Sequence, residues 1–340
     1  MPVMKYRSRT LAGLSQLIPE ITYVMCGARE ETGKLPIRGI GQVKYIGFEA
    51  DPRECERLQQ NARPGFRFEN AAIAGSASER TLYVTRDPAC SSLLRPNAEI
   101  FARLLNGEHA TEVVQEKKIQ TISLDEVMSR LGVPNVDVLD LDTQGTELEI
   151  LHGAAGLLST SIVAIKVEVE FAPLYQDQAL FGDVDEYLRK FGFALFDLSR
   201  SRYRRKNLPS AQLTRGQLLW GDALYLRDYR WFAERSELDH VFRLCLVAAH
   251  LGFHDYALEG MDLLLEGKIG TLSQEQEAKI RESRKQYTTD LRNGARWVDV
   301  LLGFEAVGLI KPLKATGRIA RQIGERLVKD KEMTQHNWVD

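Results

Sequence analysis

The sequence predicts an α/β protein with a mostly parallel sheet, followed by an all-helical C-terminal extension. Over the first two thirds of the chain, short β-branched runs alternate with longer stretches of helical periodicity. From about Tyr229 onward, apolar residues recur near every 3.6 residues and the β-branched runs end. The chain has 340 residues, and at about 150 residues per domain we expect two domains, an α/β domain over 1–228 and a helical one over 229–340.

The first half of the sheet is predicted from short apolar runs and one capped helix. ITYVMC at 21–26 and VKYIGFE at 43–49 contain the β-branched and aromatic residues typical of strands. PRECERLQQ at 52–60 is a helix that begins with Pro52 in its first position, after Asp51 as the N-cap. Further strands are expected at 66–73 and 80–85.

The second half follows the same alternation. VDVLDLD at 136–142 is a strand that leads through a short turn into the helix of TELEILHGA, and IVAIKVEVEF at 162–171 is the next strand. A helix at 183–191 precedes two strands, at 193–198 and 217–227, that close the sheet as a pair. Beyond them, helices are expected at 244–250, 256–265, 273–286 and 295–309.

Charge and composition exclude several classes of protein. Forty-five Lys and Arg against 47 Asp and Glu give a net charge of -2, so the chain lacks the basic field of a general nucleic-acid binder. The longest apolar runs are far shorter than the roughly 20 residues of a membrane helix, and 1–10 lacks the apolar core of a leader peptide. The four cysteines are scattered, which excludes a disulfide framework. We therefore expect a cytoplasmic protein.

Two residues at strand ends predict a nucleoside site. In an open α/β sheet, ligands bind outside the carboxyl ends of the strands. Gly27 follows the first strand, and Glu49 ends the second at about the 20-residue offset where an acid binds ribose hydroxyls. A simple turn and a solvent-facing carboxylate remain the alternative. The segment GAREETG lacks the spaced glycines of a dinucleotide site, which disfavours a nicotinamide-dependent oxidoreductase.

The next two strands carry more charge than a buried parallel sheet usually contains. Alternation places Asp140 and Asp142 on one face of their strand, and Lys166, Glu168 and Glu170 on one face of the next. Buried charges are costly unless they are paired, so this cluster is a candidate active site. The alternative is an ion pair of Lys166 with Glu168 or Asp140, with exposed strand ends.

Several motifs together resemble one known family. GFEADPRECERL, LYVTRDPACSSLLRPN, LDLDTQGTELEILHGA, VEVEFAPLYQDQALFGDVDEYL and LLWGDALYL occur in the order and spacing of the FkbM family of S-adenosylmethionine-dependent methyltransferases. The resemblance covers about residues 21–228. It implies a class I methyltransferase (Rossmann-like) fold with a seven-stranded sheet whose last strand is antiparallel. It also implies methyl transfer to a hydroxyl oxygen, commonly of a sugar or polyketide.

The resemblance implies cofactor contacts at several positions. Gly27 and Ala28 would lie against the methionine part of S-adenosylmethionine. Glu49 would bind the ribose and Ala72 would lie beside the adenine, whereas Asp142 would lie near the sulfonium. Other positions that match the family are Gln144, which we also expect to contact the cofactor, Gly145 and Glu168.

The chain departs from the family pattern at three places. Met25 replaces the acid two places before Gly27, Glu30 and Glu31 replace the next glycines, and Asp140 replaces a lysine. The first two changes affect the cofactor loop, and the third changes the charge of the acceptor site. They motivate the alternative that the chain is a non-catalytic binding or scaffold module on a degenerate methyltransferase fold.

The expected chemistry is the in-line transfer of a methyl group to a hydroxyl, which requires a base. In a cluster of like charges the pKa of one carboxyl rises toward the range that suits a base. We expect Asp142 or Glu170 in this role, with Glu168 as the third catalytic carboxylate. Asp140 and Asp142 alternatively predict a Mg²⁺ site that would polarise the hydroxyl.

Two basic segments bear on partners. SRSRYRRKN at 199–207 predicts an anionic acceptor, such as a phosphate- or uronate-bearing glycan, bound by Arg202, Arg204 and Arg205, unless the segment is simply solvated. The segment 311–331 has a basic amphipathic pattern that predicts contact with a membrane surface or a partner subunit in a homodimer; plain packing is the alternative. We expect an O-methyltransferase of glycan biosynthesis or of a related natural product.

Overall fold

The structure is a computed structural model that describes residues 11–29, 42–207, 214–235 and 237–306, with side chains described up to residue 293. Two features predicted above, Glu30 with Glu31 and the segment 311–331, lie outside the described residues. The described residues form two compact units. One unit comprises 20–29 and the residues from 42 to 231, and the other comprises 11–19 and the residues from 232 onward.

The described strands all belong to the first unit. In chain order they are β1 (Ile21–Cys26), β2 (Val43–Glu49), β3 (Phe66–Asn70), β4 (Ala72–Ala74), β5 (Glu79–Thr85), β6 (Val113–Ser123), β7 (Val138–Leu141), β8 (Ala164–Glu170), β9 (Phe193–Leu198), β10 (Ser201–Tyr203) and β11 (Gln217–Arg227). The predicted strands 21–26, 43–49, 193–198 and 217–227 are found at their predicted bounds.

The main sheet has the strand order β3-β2-β1-β7-β8-β11 and an edge formed by β9 and β10. Strands β3, β2, β1, β7 and β8 are parallel, and β11 runs antiparallel to β8. Both β9 and β10 pair with β11. Strand β9 pairs with residues 223–227 of β11 and β10 with residues 217–220, so the two together form one interrupted edge strand. This is the seven-stranded class I methyltransferase order, and the predicted fold class is confirmed.

A smaller sheet, β4-β6-β5, differs from the sequence-based prediction. The pattern predicts one strand over 66–73, but the chain turns at Asn70 and Ala71. β3 then ends in the main sheet, and β4 pairs with β6 instead. The sequence pattern does not predict β6, because its run of Gln, Glu and Lys residues is largely exposed and breaks the apolar alternation of a strand.

The helices of the structure are α1 (Ala12–Ser15), α2 (Pro52–Gln60), α3 (Ala98–Phe101), α4 (Gly107–Ala110), α5 (Leu124–Arg130), α6 (Glu147–His152), α7 (Ala155–Thr160), α8 (Phe181–Arg189), α9 (Tyr229–Ala233), α10 (Leu238–Leu251), α11 (His254–Leu265) and α12 (Gln274–Ala306). Helix α2 has its predicted bounds, and the Asp51 side chain accepts a hydrogen bond from Arg53 N. The prediction of separate helices at 273–286 and 295–309 is wrong, because α12 runs unbroken from Gln274 to Ala306.

The two faces of the main sheet differ in chemistry. One face contributes Val24, Ile46 and Leu139 to the apolar core, together with residues of α5, α6 and α7. The other face carries buried polar groups, among them Asp140, whose carboxylate accepts a hydrogen bond from the Tyr23 hydroxyl. Because strand residues alternate between faces, the polar residues of β7, β8 and β11 share this second face.

The second unit is helical, as the C-terminal pattern predicts. Helices α10, α11 and α12 are joined there by α1, which contacts α10 and α12. The N-terminal residues 11–19 therefore belong with these helices and not with the sheet unit. The predicted domain boundary at 228 stays a prediction. No helix among the described residues is long and apolar enough to span a membrane.

Candidate active site

A cavity of about 700 Å³ lies at the carboxyl ends of β1, β2, β7 and β8. Its walls come from the strand ends, from the loop after β5, and from the first part of β11. The predicted site residues that border it are Gly27, Glu49, Ala72, Asp142, Gln144, Glu168 and Glu170. Ala28, Asp140 and Gly145 are not among the residues that border it.

Gly27 forms the turn after β1, where only glycine fits. Its φ is 86°, and a Cβ atom there would lie 1.8 Å from the carbonyl oxygen of Asp142. The backbone N–H groups of Gly27 and Ala28 both donate to the carbonyl oxygen of Phe48. The turn is thus held rigidly against β2, and Ala28 is fully buried behind it.

Glu49 is a buried carboxylate at the cavity edge. Its Oε1 accepts a hydrogen bond from Asp51 N at 2.8 Å and lies 3.5 Å from an Arg29 guanidinium nitrogen. Burial raises the pKa of Glu49, and the backbone hydrogen bond and Arg29 oppose this. Because both contacts use Oε1, Oε2 is the oxygen through which Glu49 can accept hydrogen bonds from a ligand.

Met25 stands where the resemblance to the FkbM family implies an acid. It borders the cavity, and its sulfur accepts a hydrogen bond from the Tyr45 hydroxyl at 3.2 Å. This substitution replaces a charge by a soft, apolar contact. The remaining part of this wall includes Ala72, which is 8% exposed.

Gln144 joins the carboxylates of two strands. Its Nε2 donates to Asp142 Oδ1 at 3.0 Å and to Glu168 Oε2 at 2.6 Å. Its Oε1 lies 3.0 Å from the Tyr175 hydroxyl, whose single proton is shared with the Cys90 carbonyl oxygen, also at 3.0 Å; this contact sets the orientation of the amide. Gln144 therefore holds an oxygen of Asp142 and an oxygen of Glu168 against one nitrogen.

Burial and mutual repulsion perturb the ionisation of this cluster. Burial raises the pKa of Asp142, with hydrogen bonding from Gln144 acting in the opposite direction. The pKa values of Glu168 and Glu170 rise well above their usual range because both groups are buried and lie near other carboxylates. Such a cluster holds a proton at a pH where isolated carboxyls are ionised.

Asp140 belongs to a neighbouring ion-pair network. Lys166 Nζ lies 3.2 Å from Asp140 Oδ1 and 3.1 Å from Asp222 Oδ1. The Asp140 carboxylate, which also accepts from Tyr23, is thereby committed to protein partners. Of the two partners that the sequence offers for Lys166, Glu168 and Asp140, the structure pairs it with Asp140. The predicted Mg²⁺ site at Asp140 and Asp142 finds no support, since the described residues contain no group of three or more His, Cys, Asp or Glu side chains arranged to hold a metal.

Three cavity residues were missed by the sequence analysis. Trp220 lies opposite Glu170 in the β8–β11 ladder, and Asp222 lies opposite Glu168. The alternation within LLWGDALYL places Trp220 and Asp222 on one face, which was an available signal. Tyr175 is buried in a loop after β8 and donates to Gln144, and no pattern in the sequence indicates this contact.

The predicted acceptor arginines do not border the cavity. Arg202 donates to the carbonyl oxygen of Gly216 at 3.5 Å, and Arg205 donates to the Gln217 side chain. Tyr203 is the residue of this segment that borders the cavity. The roles assigned to Arg202, Arg204 and Arg205 stay predictions.

The comparison with protein families identifies the sheet unit. Residues 26–195, half of the chain, match the methyltransferase FkbM domain. The chain belongs to the FkbM methyltransferase family. It is therefore an S-adenosylmethionine-dependent methyltransferase, as the resemblance of its motifs predicts.

Solved structures similar to this FkbM protein are distant in sequence. Magnesium protoporphyrin IX methyltransferase from Synechocystis has 11% identity and a TM-score of 0.32, over 65% of this chain and 79% of that one. A TehB-like methyltransferase from Corynebacterium glutamicum has 12% identity and a TM-score of 0.28, over 65% and 94% of the two chains. No curated protein matches the chain. The family assignment rests on the sequence match.

The cavity of the FkbM domain fits S-adenosylmethionine at two points. Glu49 offers a buried carboxylate oxygen where hydroxyl groups of a ribose would donate. The carboxylates of Asp142 and Glu168 line the same space and favour a cationic sulfonium. Between these points, Gly27 packs so closely on the Asp142 backbone that the ends of β1 and β7 border the cavity side by side.

Proposed function

We propose that this FkbM protein is an O-methyltransferase that methylates a hydroxyl of a sugar, glycan or related natural product. The single observation that supports it is the Asp142–Gln144–Glu168 arrangement. Two buried carboxylates with raised pKa values, held on one amide, form a base suited to a hydroxyl proton. An amine acceptor can be methylated as its neutral form and needs such a base less.

When bound, S-adenosylmethionine would supply an electrophilic methyl group on its sulfonium and would leave as S-adenosylhomocysteine. The Asp142–Glu168 pair would accept the proton of the hydroxyl that takes the methyl group. The main contribution of the walls is to hold the hydroxyl in line for this step. A base of this kind contributes about 10²-fold to 10⁴-fold in rate.

The test is methyl transfer from ¹³C-methyl S-adenosylmethionine to a panel of glycosides, polyols and amines. The ¹³C chemical shift of the product distinguishes O-methyl, N-methyl and C-methyl groups. We expect O-methyl products, and about a 10²-fold or larger loss of kcat in Glu168→Gln. Asp197→Asn, an exposed carboxylate on β9, is the matched control and should retain the rate.

Two outcomes would contradict the proposal. Methyl transfer only to nitrogen or carbon would exclude O-methylation. Failure of S-adenosylhomocysteine to bind in calorimetry, with NADH as the comparison ligand, would instead favour the scaffold alternative, which Met25 motivates. In that case the loss of the family's acid at this position would explain the loss of cofactor affinity.

A further inference from the structure

We propose that the acceptor is a polyhydroxylated compound without an anionic group, either neutral or amino-bearing. This inference rests on the proposed O-methylation and adds the charge class of the substrate. The residues that line the cavity support it, whereas the basic segment 199–207 predicts an anionic acceptor.

The charged groups around the cavity are almost all acidic. Among the described residues, Arg29 is the one cation that borders it, and the acidic residues that border it are Glu49, Asp51, Asp87, Asp142, Glu168, Glu170 and Asp222. Arg29 lies 3.5 Å from Glu49 and 3.5 Å from Asp51, so its charge is already compensated. An anionic acceptor would therefore enter a space of like charge.

The acceptor wall is built from two cross-strand pairs. Glu168 lies opposite Asp222, and Glu170 lies opposite Trp220, so all four side chains are on the same face of β8 and β11. Tyr203 also borders the cavity beside this wall. Three carboxylates and two aromatic side chains thus line the acceptor wall.

This surface is complementary to a sugar-like ring. Hydroxyl groups are donors that carboxylate oxygens accept, and the apolar C–H face of a ring packs on an aromatic face. Trp220 and Tyr203 pack against an apolar cluster that includes Phe101 and Leu219, which fixes the aromatic wall. An ammonium group would pair with a carboxylate of the same wall.

The raised pKa values of the carboxyl groups in the acceptor wall also favour an acceptor without negative charge. Repulsion from neighbouring carboxylates contributes to the raised pKa values of Glu168 and Glu170. A buried anion added here would raise these pKa values further, at a cost in binding free energy. A neutral or cationic acceptor avoids this cost.

The experiment measures the charge class of the acceptor and does not require that the acceptor first be identified. The full-length protein transfers a labelled methyl group from S-adenosylmethionine into a metabolite and glycan extract of the cells that produce it. The labelled products are then passed over anion-exchange and cation-exchange columns at neutral pH. We expect the label in the unretained fraction or on the cation exchanger.

Label retained mainly on the anion exchanger would overturn the inference while leaving methyl transfer to a hydroxyl intact. Transfer of label to no compound, or to nitrogen alone, would refute the proposed O-methylation itself, and the inference with it. The ¹³C chemical shift of the product separates these failures.

A variant supplies a second, independent measurement. Asp222→Asn removes one carboxylate and leaves Lys166 without its partner at 3.1 Å, so the wall becomes more positive. We expect the ratio of anion-retained to unretained product to rise about tenfold. Asp197→Asn, exposed and absent from the cavity lining, should leave the ratio unchanged. An unchanged ratio in Asp222→Asn with normal S-adenosylhomocysteine affinity would contradict the inference.

Discussion

Gln144 has a left-handed backbone, with φ of 61°, and its amide donates to two carboxylates. A non-glycine residue in this conformation is uncommon, and asparagine tolerates it well. The substitution Gln144→Asn therefore keeps a residue suited to the turn but shortens the reach of the amide. The variant therefore tests the amide hydrogen bonds of Gln144 while the left-handed backbone of the turn is kept.

We predict that Gln144→Asn lowers kcat by about tenfold or more and moves its pH profile upward. The amide hydrogen bonds favour the ionised carboxylates, so their loss raises the pKa of the base. Because the base must be ionised to accept the proton, the rate then needs a higher pH. The pH dependence of kcat measures the shift.

Tyr175→Phe is the matched variant, since it removes the hydroxyl that orients the Gln144 amide and keeps the ring. It should move the pH profile in the same direction by a smaller amount. A lower kcat with an unmoved profile in both variants would contradict a positioning role for Gln144.

We predict that Glu49→Gln weakens S-adenosylhomocysteine binding by about 10-fold to 100-fold, the usual effect of losing hydrogen bonds to a charged acceptor. Burial raises the pKa of Glu49, so the wild-type affinity should also fall as the pH drops through that raised value. Calorimetric titration across pH measures both effects.

Asp51→Asn provides the comparison for Glu49, because Asp51 also contacts Arg29 and borders the cavity. Its carboxylate is more exposed, at 29%. A smaller loss of affinity is expected for Asp51→Asn. An equal or larger loss would show that the charge around Arg29, and not the Glu49 acceptor oxygen, determines binding.

Arg227 connects several elements at the end of β11 opposite the cavity. It is fully buried, and its guanidinium donates to the carbonyl oxygens of Leu158, Ile162 and Phe191. It also stacks on Phe193 at 4.0 Å. The planar fork of arginine thus satisfies carbonyl groups at the end of α7, before β8 and after α8.

We predict that Arg227→Lys lowers the free energy of unfolding by about 3 kcal/mol or more. A lysine ammonium cannot reproduce the planar set of hydrogen bonds to the three carbonyl oxygens, so a buried charge is left with too few partners. Arg189→Lys is the control: its side chain is 57% exposed and pairs with Asp185 on the surface. It should change stability by less than about 1 kcal/mol. Chemical denaturation measures both, and equal small effects would refute the role assigned to Arg227.

The elements of the main sheet were predictable because most buried strands are short runs of apolar residues that include β-branched or aromatic side chains, as at 21–26 and 43–49. The end of β3 at Asn70 and the solvent-facing strand β6 could not be predicted. Both depend on which strands pair with each other, and the local sequence pattern does not determine this pairing. The sequence pattern does not join 273–286 to 295–309, yet α12 continues through the residues between them. Once a helix has formed, each further residue adds a backbone hydrogen bond, which favours its continuation.

The strand-end residues Glu49, Asp142 and Glu168 were found from the sequence because the fold class brings strand ends together. Trp220 and Asp222 depend on the antiparallel register of β11 against β8, which the sequence pattern leaves open. Within the basic segment 199–207, Tyr203 borders the cavity and the three arginines do not, and the local sequence pattern does not decide which of these side chains faces it.

At the scale of the whole molecule, the helical unit includes residues from both ends of the described chain. The Ser283 hydroxyl of α12 accepts a hydrogen bond from Leu14 N at 2.8 Å. A Cβ atom on Gly13 would lie 2.6 Å from the carbonyl oxygen of Lys279. Helix α1 thus approaches α12 so closely that only glycine fits between the two backbones.

We predict that Gly13→Val forces α1 away from α12 and speeds amide hydrogen exchange in α10 and α12, since both contact α1. Exchange in β1, β7 and β8 should stay as slow as in the wild type, because these strands belong to the other unit. Gly182→Val is the control, as nothing lies within 4 Å of a Cβ atom at that position. Faster exchange confined to the sheet strands would contradict this assignment. Unchanged exchange throughout would show that α1 adds no stability to the helical unit, which would then depend on packing among α10, α11 and α12 alone.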